Sequence, residues 1–375
     1  MRRLIRRILI FINILLAGVL LLSYLSVHVS PARFWMFAFL GLSYPYLLSL
    51  NILFCIFWLL FLKWEFVLSL AAILIGWNQL ANHVQFHFRS GEEQVQAKNL
   101  SRQERIDQGL IKVLSFNVHA FNLYNWNKDP ESLNNILDFI KKEDPDILCI
   151  QEFYAEKQGK VTLNDVHRAL KKTPYKHIYY TIDGESNGKY GIATFSSLPV
   201  AGKGVISFDN TLNACIFTNI LAGEDTLRIY NNHLQSIYLE QRNYLLLDSL
   251  SLRYNEEQIN ELKDISFRIR RAFVKRALQA DKIADHMRNT PYPAIVCGDF
   301  NDTPSSYTYH KLRNGLADAF VEAGSGFGNT YEGSFPSFRI DYILHDKSME
   351  TVYFKRIKMR LSDHYPLISI LKIKH

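Results

Sequence analysis

Acidic side chains are almost missing from the first part of this chain: Glu65 is the one carboxylate before Glu92. A helix lying in water needs a charged or polar face, so long uncharged runs argue against solvated surface helices there. Cysteine is scarce too. There are four in 375 residues, with no CxxC pair and no metal-ligand spacing, which excludes a disulfide framework and a thiolate metal centre. Cys55 lies in an apolar run; Cys149, Cys215 and Cys297 each sit in a strand-like segment and are expected as buried free thiols. A basic excess is also lacking where it would matter. The net charge is +7, but up to Leu100 eight Lys/Arg face three Asp/Glu, and the remainder carries 35 against 33. That near-neutral remainder lacks the footprint of a dedicated DNA binder and leaves room only for a local patch. No internal repeat and no low-complexity tract is present.

What the N-terminal part does contain is arginine followed by long apolar runs. Arg2, Arg3, Arg6 and Arg7 precede an apolar stretch from Ile8 to about Val29, long enough for a bilayer, which takes about 20 residues. A second run, Phe34 to Leu62, is interrupted by Pro45, and a third, somewhat short, spans Phe66 to about Leu80. The competing readings are a cleaved signal peptide, disfavoured by the further apolar segments and the lack of a small-x-small cleavage site, and buried soluble helices, disfavoured by run length. The expectation is a transmembrane anchor of about three helices over 1–88, with Trp35, Trp58, Trp64 and Trp77 near the span ends. The arginines favour a cytoplasmic N-terminus, and three crossings then place the rest on the extracytoplasmic side; two crossings reverse this. A polar linker or juxtamembrane helix follows at 89–109.

A domain over 110–375 begins with a strand at Ile111–Val118. Helices are expected over Pro130–Lys142, Leu163–Lys172 and Ser305–Asn314. Strands are expected at Ile147–Ile150, Tyr175–Ile182, Tyr190–Phe195, Ala214–Leu221, Thr226–Asn231, Ala294–Cys297, Arg339–Leu344, Glu350–Ile357 and Leu367–Ile373. A long polar, helical stretch runs from Ile237 to Asn289. Within it, Arg268–Arg288 offers either an anion-binding face or a solvated helix with Phe273, Leu278 and Ile283 packed inward. Interspersed strands and helices with few strict βαβ units indicate an α+β fold of packed sheets covered by helices.

Chemistry-bearing residues recur at the strand ends. Ala294–Cys297 delivers Gly298-Asp299-Phe300-Asn301, a carboxylate and a carboxamide suited to holding a hard cation and orienting a water or phosphate, or else an ordinary turn. Glu152 ends a buried strand, where a carboxylate needs an ion, a salt bridge or a helix N-terminus. Asn117 closes another. His233 follows Asn231-Asn232, as a hydrogen-bonded residue or as an imidazole aimed at phosphate. Asp341 sits between apolar neighbours, and Ser362-Asp363-His364 precedes the last strand. Together these two segments suggest an Asp–His dyad, though spacing does not decide which acid orients His364.

This ordered set, Asn117, Glu152, His233, Asp299-x-Asn301, Asp341 and Asp363-His364, resembles the endonuclease/exonuclease/phosphatase superfamily. That group includes DNase I-like nucleases, abasic-site endonucleases, inositol-phosphate phosphatases and neutral sphingomyelinases. The resemblance covers about Ile111 to Ile373. It implies a four-layered α/β/β/α sandwich and a Mg²⁺- or Mn²⁺-dependent phosphoester hydrolase acting by attack of water on phosphorus. It further implies Asn117, Glu152 and Asp363 at the metal, and His233, Asp299, Asn301, Asp341 and His364 as catalytic groups. Asp299 is then the base, with His364 and Asp341 the competing assignment. The substrate implied is a phosphoester of nucleic acid, a phospholipid headgroup or an inositol phosphate, with the membrane as the other partner and no protein partner. A non-catalytic, membrane-tethered binding or scaffolding module on the same fold is the rival reading. His119 has no counterpart in this pattern.

Overall fold

The computed structural model describes residues 2–87, 92–123, 128–183, 188–237, 243, 246, 255–333 and 337–374. The start of the expected linker at 89–91 and most of 238–254 lie outside them. The strands are β1 (Val84–Phe86), β2 (Leu110–Asn117), β3 (Ile147–Glu156), β4 (Tyr175–Asp183), β5 (Gly188–Ser196), β6 (Val200–Ser207) and β7 (Ala214–Ala222). They continue with β8 (Asp225–His233), β9 (Ala294–Asp299), β10 (Leu316–Asp318), β11 (Ser325–Phe327), β12 (Asp341–Asp346), β13 (Met349–Arg356) and β14 (Leu367–Ile373). One six-stranded sheet runs β13-β14-β2-β3-β5-β4 and the other β10-β12-β9-β8-β7-β6.

The sheets face each other across a core of Val113, Ile147, Cys149, Ile229, Ile295, Cys297 and Ile343. The first sheet's outer face is covered by helices Ser132–Glu143 and Leu163–Ala169, through Ile136, Ile140 and Val166. The second sheet's outer face is covered by Glu256–Arg288 and Tyr307–Arg313, through Ala280, Ile283, Tyr309 and Leu312. The architecture is therefore the four-layered α/β/β/α sandwich. The three strand cysteines are buried and free.

Each sheet contains one parallel pair, β2 with β3 and β8 with β9. The register sets Asn117 beside Gln151 and His233 beside Asp299. Side chains at the C-terminal ends of β2, β8 and β9, and at Gln151–Glu152 within β3, thus lie along one edge of the sandwich. This pairing is what positions the site.

Glu256–Arg288 is one 33-residue helix with an Asn255–Gln258 capping box. Phe273 and Ile283 are buried as expected, but Leu278 is 56% exposed. Five residues advance a helix by about 500°, or 140° past a full turn, so Leu278 sits well round from both neighbours. Strand β6 was not anticipated because its inward positions include Gly202 and Gly204, whose space is taken by Asn219 and Phe217 of β7.

Segment 92–107 is folded against the domain. Helix Arg102–Asp107 has a Ser101–Glu104 capping box, and buried Arg105 holds Asp146 through Nε at 3.0 Å and Nη2 at 3.1 Å. Ala97 packs with Leu110 and Ile370.

In the N-terminal part, Arg3–Val27 is the described helix long and apolar enough to cross a membrane; a signal sequence has the same character. Met36–Leu42 and Tyr44–Leu60 form a pair bent by 59° at Ser43, with Pro45 in the first turn of the second helix. Phe66–Ile75 rises only about 15 Å, half a hydrocarbon core. The three segments pack side by side through Leu20, Leu48 and Ile73, pinned by Ser69, whose hydroxyl proton is shared between Asn13 Oδ1 at 2.6 Å and Asn51 Oδ1 at 3.0 Å. Among the tryptophans, Trp64 and Trp77 are exposed, whereas Trp58 is buried.

Candidate active site

Glu152 does not end its strand. β3 continues to Glu156, and its pairing with β5 shifts register between Ile150 and Phe153. Glu152 sits inside that bulge with φ +50°, a conformation costly for a side chain with a Cβ. The bulge turns its carboxylate out of the ladder toward the sandwich edge. Asn231 fills the gap behind it, donating to Ala193 O at 2.9 Å and accepting from Gln151 Nε2 at 2.7 Å.

Asn117, fully buried, ties the two sheets together. Its Nδ2 donates to Glu152 Oε1 and to Asp299 Oδ2, both at 3.1 Å, while its Oδ1 accepts from His119 N at 3.1 Å. Asp299 is 1% exposed. Besides Asn117 it accepts from Asn301, through the backbone N at 2.8 Å and Nδ2 at 3.1 Å. Asn301 has φ +53° and also reaches Leu234 O at 3.0 Å. Burial pushes the Asp299 carboxyl up to about 6, with His364 opposing and Asp341 reinforcing the rise.

Gly298 makes this approach feasible. Its φ is +123°, and a Cβ there would lie 2.1 Å from Asn232 O. Gly298→Ala is expected to destabilise the domain by roughly 2–4 kcal/mol. Thermal unfolding should register this as a fall of roughly 5–12 °C; a change under 2 °C would mean that β8 yields freely.

His364 Nδ1 lies 2.9 Å from Asp341 Oδ2, and its Nε2 faces Asp299 Oδ2 at 3.8 Å. Burial alone would lower the imidazole's pKa, but Asp341, Asp299 and Asp363 together raise it well above its usual value. Asp299, Asp341 and His364 offer atoms within 4.8 Å of one another, close enough to share an ion. The His364–Asp341 hydrogen bond already uses both partners, so we read the trio as a charge-coupled dyad beside a carboxylate.

His233 Nε2 stands 3.6 Å from Glu152 Oε1 and 3.9 Å from Asp299 Oδ2, buried and, among the described residues, without a hydrogen-bond partner. Asp363 pairs with His119 Nδ1 at 3.1 Å. Burial would raise the Asp363 carboxyl, but the His119 hydrogen bond and the His364 charge hold it down at about 2. Glu152, Asp299, Asn301, Asp363 and His364 all line one cavity of about 340 Å³. All eight residues singled out from the sequence therefore meet at one edge. Sequence reasoning left His119 without a partner, because Asp363 lies 244 positions away and no local pattern joins them.

An endonuclease/exonuclease/phosphatase family model matches residues 114–364. The chain belongs to this family. Its members include nucleases and phosphatases, so phosphoester hydrolysis is the chemistry at the family level. A domain of unknown function matches residues 6–83. An endonuclease/exonuclease/phosphatase from Beutenbergia cavernae is similar at 16% identity and TM-score 0.50, over 71% of this chain and 72% of that one. The human Nocturnin catalytic domain, solved with a bound sulfate anion, is similar at 20% identity and TM-score 0.50, over 71% and 94%. At these identities the likeness is one of fold. No curated protein matches the chain.

Proposed function

We propose that the chain is a membrane-anchored, divalent-metal-dependent phosphodiesterase. The observation that carries the reading is the convergence of Glu152, Asp299, Asn301, Asp363 and His364 on one cavity, with Asn117 and Asp341 bonded to them from behind and Asp299 Oδ2 3.8 Å from His364 Nε2.

The donor set suits a hard cation. Glu152 is a partly exposed carboxylate held in a strained bulge, and the Nε2 of His233, with no hydrogen bond among the described residues, lies near both it and Asp299. Glu152 and Asp363 would hold Mg²⁺ or Mn²⁺; Asn117 joins them if its amide oxygen gives up the His119 N–H. When bound, the ion supplies charge neutralisation for the phosphoryl oxygens and the leaving group. Asp299 takes a proton from the attacking water as the new O–P bond forms. Asn301 keeps that carboxylate oriented. The departing ester oxygen leaves with the P–O bond's electron pair and collects a proton from solvent or an imidazolium. His364, lying between two carboxylates, stays protonated and stabilises negative charge on the phosphoryl oxygens; this favours Asp299 over His364 as the base. His233 is placed to donate to a phosphate oxygen.

The three N-terminal segments are proposed to cross the bilayer as one bundle, the third only with Trp77–Ala81 added to Phe66–Ile75, which together rise about 24 Å. Arg6 and Glu65 meet at the end carrying Arg2, Arg3 and Arg7, and Ser26 at the other end meets the catalytic domain. By charge bias the arginine end is cytoplasmic and the catalytic domain extracytoplasmic.

The test is turnover of bis(p-nitrophenyl) phosphate by the full chain in detergent. EDTA should abolish it and Mg²⁺ or Mn²⁺ restore it. Glu152→Gln should raise the half-activating Mg²⁺ concentration about tenfold or more. Metal-independent turnover would remove the ion from the reading. No turnover on any phosphoester would favour the scaffolding alternative.

A further inference from the structure

The catalytic cavity is not walled by the catalytic domain alone. Its lining includes Leu42, Ser43 and Tyr46, which flank the break between the two bent apolar helices. The helical region is fixed in that position by several independent contacts. Ser26 Oγ donates to Ser305 O at 2.6 Å, four residues past Asn301. Gly41 packs so close that a Cβ would lie 2.4 Å from the same carbonyl. Phe39 meets Phe273 edge-on at 5.3 Å, and Arg270 stacks over Trp35 at 4.8 Å. Arg339 Nη1 donates to Asn82 O at 2.9 Å, and β1 pairs with β11.

The cavity is chemically two-sided. Asp299, Asn301, Asp363 and His364 form one end. Leu42, Tyr46, Ile265, Ile269, Phe338 and Ile340 supply an apolar wall, interrupted by Ser43, Ser236 and Thr303. Around the break, Phe34, Met36 and Tyr46 are each more than 40% exposed, an apolar rim that a bilayer would cover. A water-soluble substrate gains nothing from such a wall. A polyanion would need a track of uncommitted cations, whereas the arginine in the lining, Arg276, is 1% exposed and holds Asp302 at 3.1 Å.

We infer that the substrate is a lipid phosphoester of the adjoining leaflet. Its phosphorus sits over Asp299 and His364, and the first methylenes of its acyl chains lie along Leu42, Tyr46 and Ile269. This rests on the hydrolase reading above and adds the substrate class. The hydrolytic step is the same: water forms one O–P bond, one ester P–O bond breaks, and the leaving oxygen takes up a proton.

The experiment uses the full chain in detergent at a fixed Mg²⁺ concentration. Phosphatidylcholines with two to eight carbons per acyl chain are presented below their micellar concentrations, and glycerophosphocholine and a short oligonucleotide serve as soluble comparators. Products are read by mass spectrometry. kcat/KM should rise about threefold or more for each methylene that enters the wall, given about 0.8 kcal/mol per buried methylene. Glycerophosphocholine should be at least about 100-fold poorer than the six-carbon lipid, which is the same increment over four or more methylenes. Leu42→Asn should flatten the chain-length slope, and Ile269→Asn, on the catalytic domain itself, provides the same reading if the first variant does not fold. A flat slope, or preference for the oligonucleotide, with metal-dependent turnover intact overturns the lipid assignment and leaves the hydrolase standing. Absence of turnover on every phosphoester overturns both.

Discussion

Asp299→Ala will lower kcat by about 10³-fold or more while moving the melting temperature by no more than roughly 5 °C. The first half follows from position. Asp299 is the one carboxylate that touches both amides of the site and faces His364, so it is placed to accept the water's proton. The second half needs the opposing terms weighed. Truncation removes three hydrogen bonds, yet Asn117 Nδ2 keeps Glu152 and Asn301 Nδ2 keeps Leu234 O. The Asn301 backbone N–H and the second N–H of each amide lose their acceptor, at about 1–3 kcal/mol each less what water entering the vacated space restores. Against that, a carboxylate 1% exposed no longer has to be held out of water, a relief of several kcal/mol. The two nearly cancel. Stopped assays and thermal unfolding on the same sample check both halves. A variant retaining a tenth of wild-type turnover would remove Asp299 from the base role, and one that does not fold would make its role structural.

Much of this site was legible because its residues sit where strong local patterns stop. Ala294–Cys297 is a short apolar run between Pro293 and Gly298, so a buried strand delivering Asp299 was expected, and β9 does so. The same holds for Asn117 at the end of β2 and His233 at the end of β8. Glu152 was placed by its strand but not by its bulge, since a register shift depends on β5, some forty residues on. The choice of Asp341 as the partner of His364 follows from β12 lying against β9, which sets Asp341 opposite Asp299. No spacing in the chain encodes that pairing. Least legible was the docking of the apolar helices on the mouth. Ser26 and Ser305 are 279 positions apart, and the helix sequences show only that they are apolar, not what their ends touch.

Asp341→Asn and His364→Ala should each lower kcat by roughly 10²–10⁴-fold, and the double variant should be no worse than the poorer single. Asp341 Oδ2 lies 2.9 Å from His364 Nδ1, and its charge is the largest of those that keep the ring protonated. The ring itself is seated by other means. Tyr331 bridges to His364 through the backbone and meets its ring edge-on at 5.2 Å, and Ser362 Oγ accepts its backbone N–H at 3.2 Å. Asp341 is held in turn by β12 and by its own N–H to Thr330 Oγ1 at 3.0 Å. Replacing the carboxylate therefore alters the charge of a ring that remains in place, so the loss should fall on kcat rather than on KM. Once the ring is gone, the acid has nothing left to orient and its removal adds no further penalty. Losses that multiply in the double variant would show the two groups acting separately, and the dyad would then be a structural ion pair.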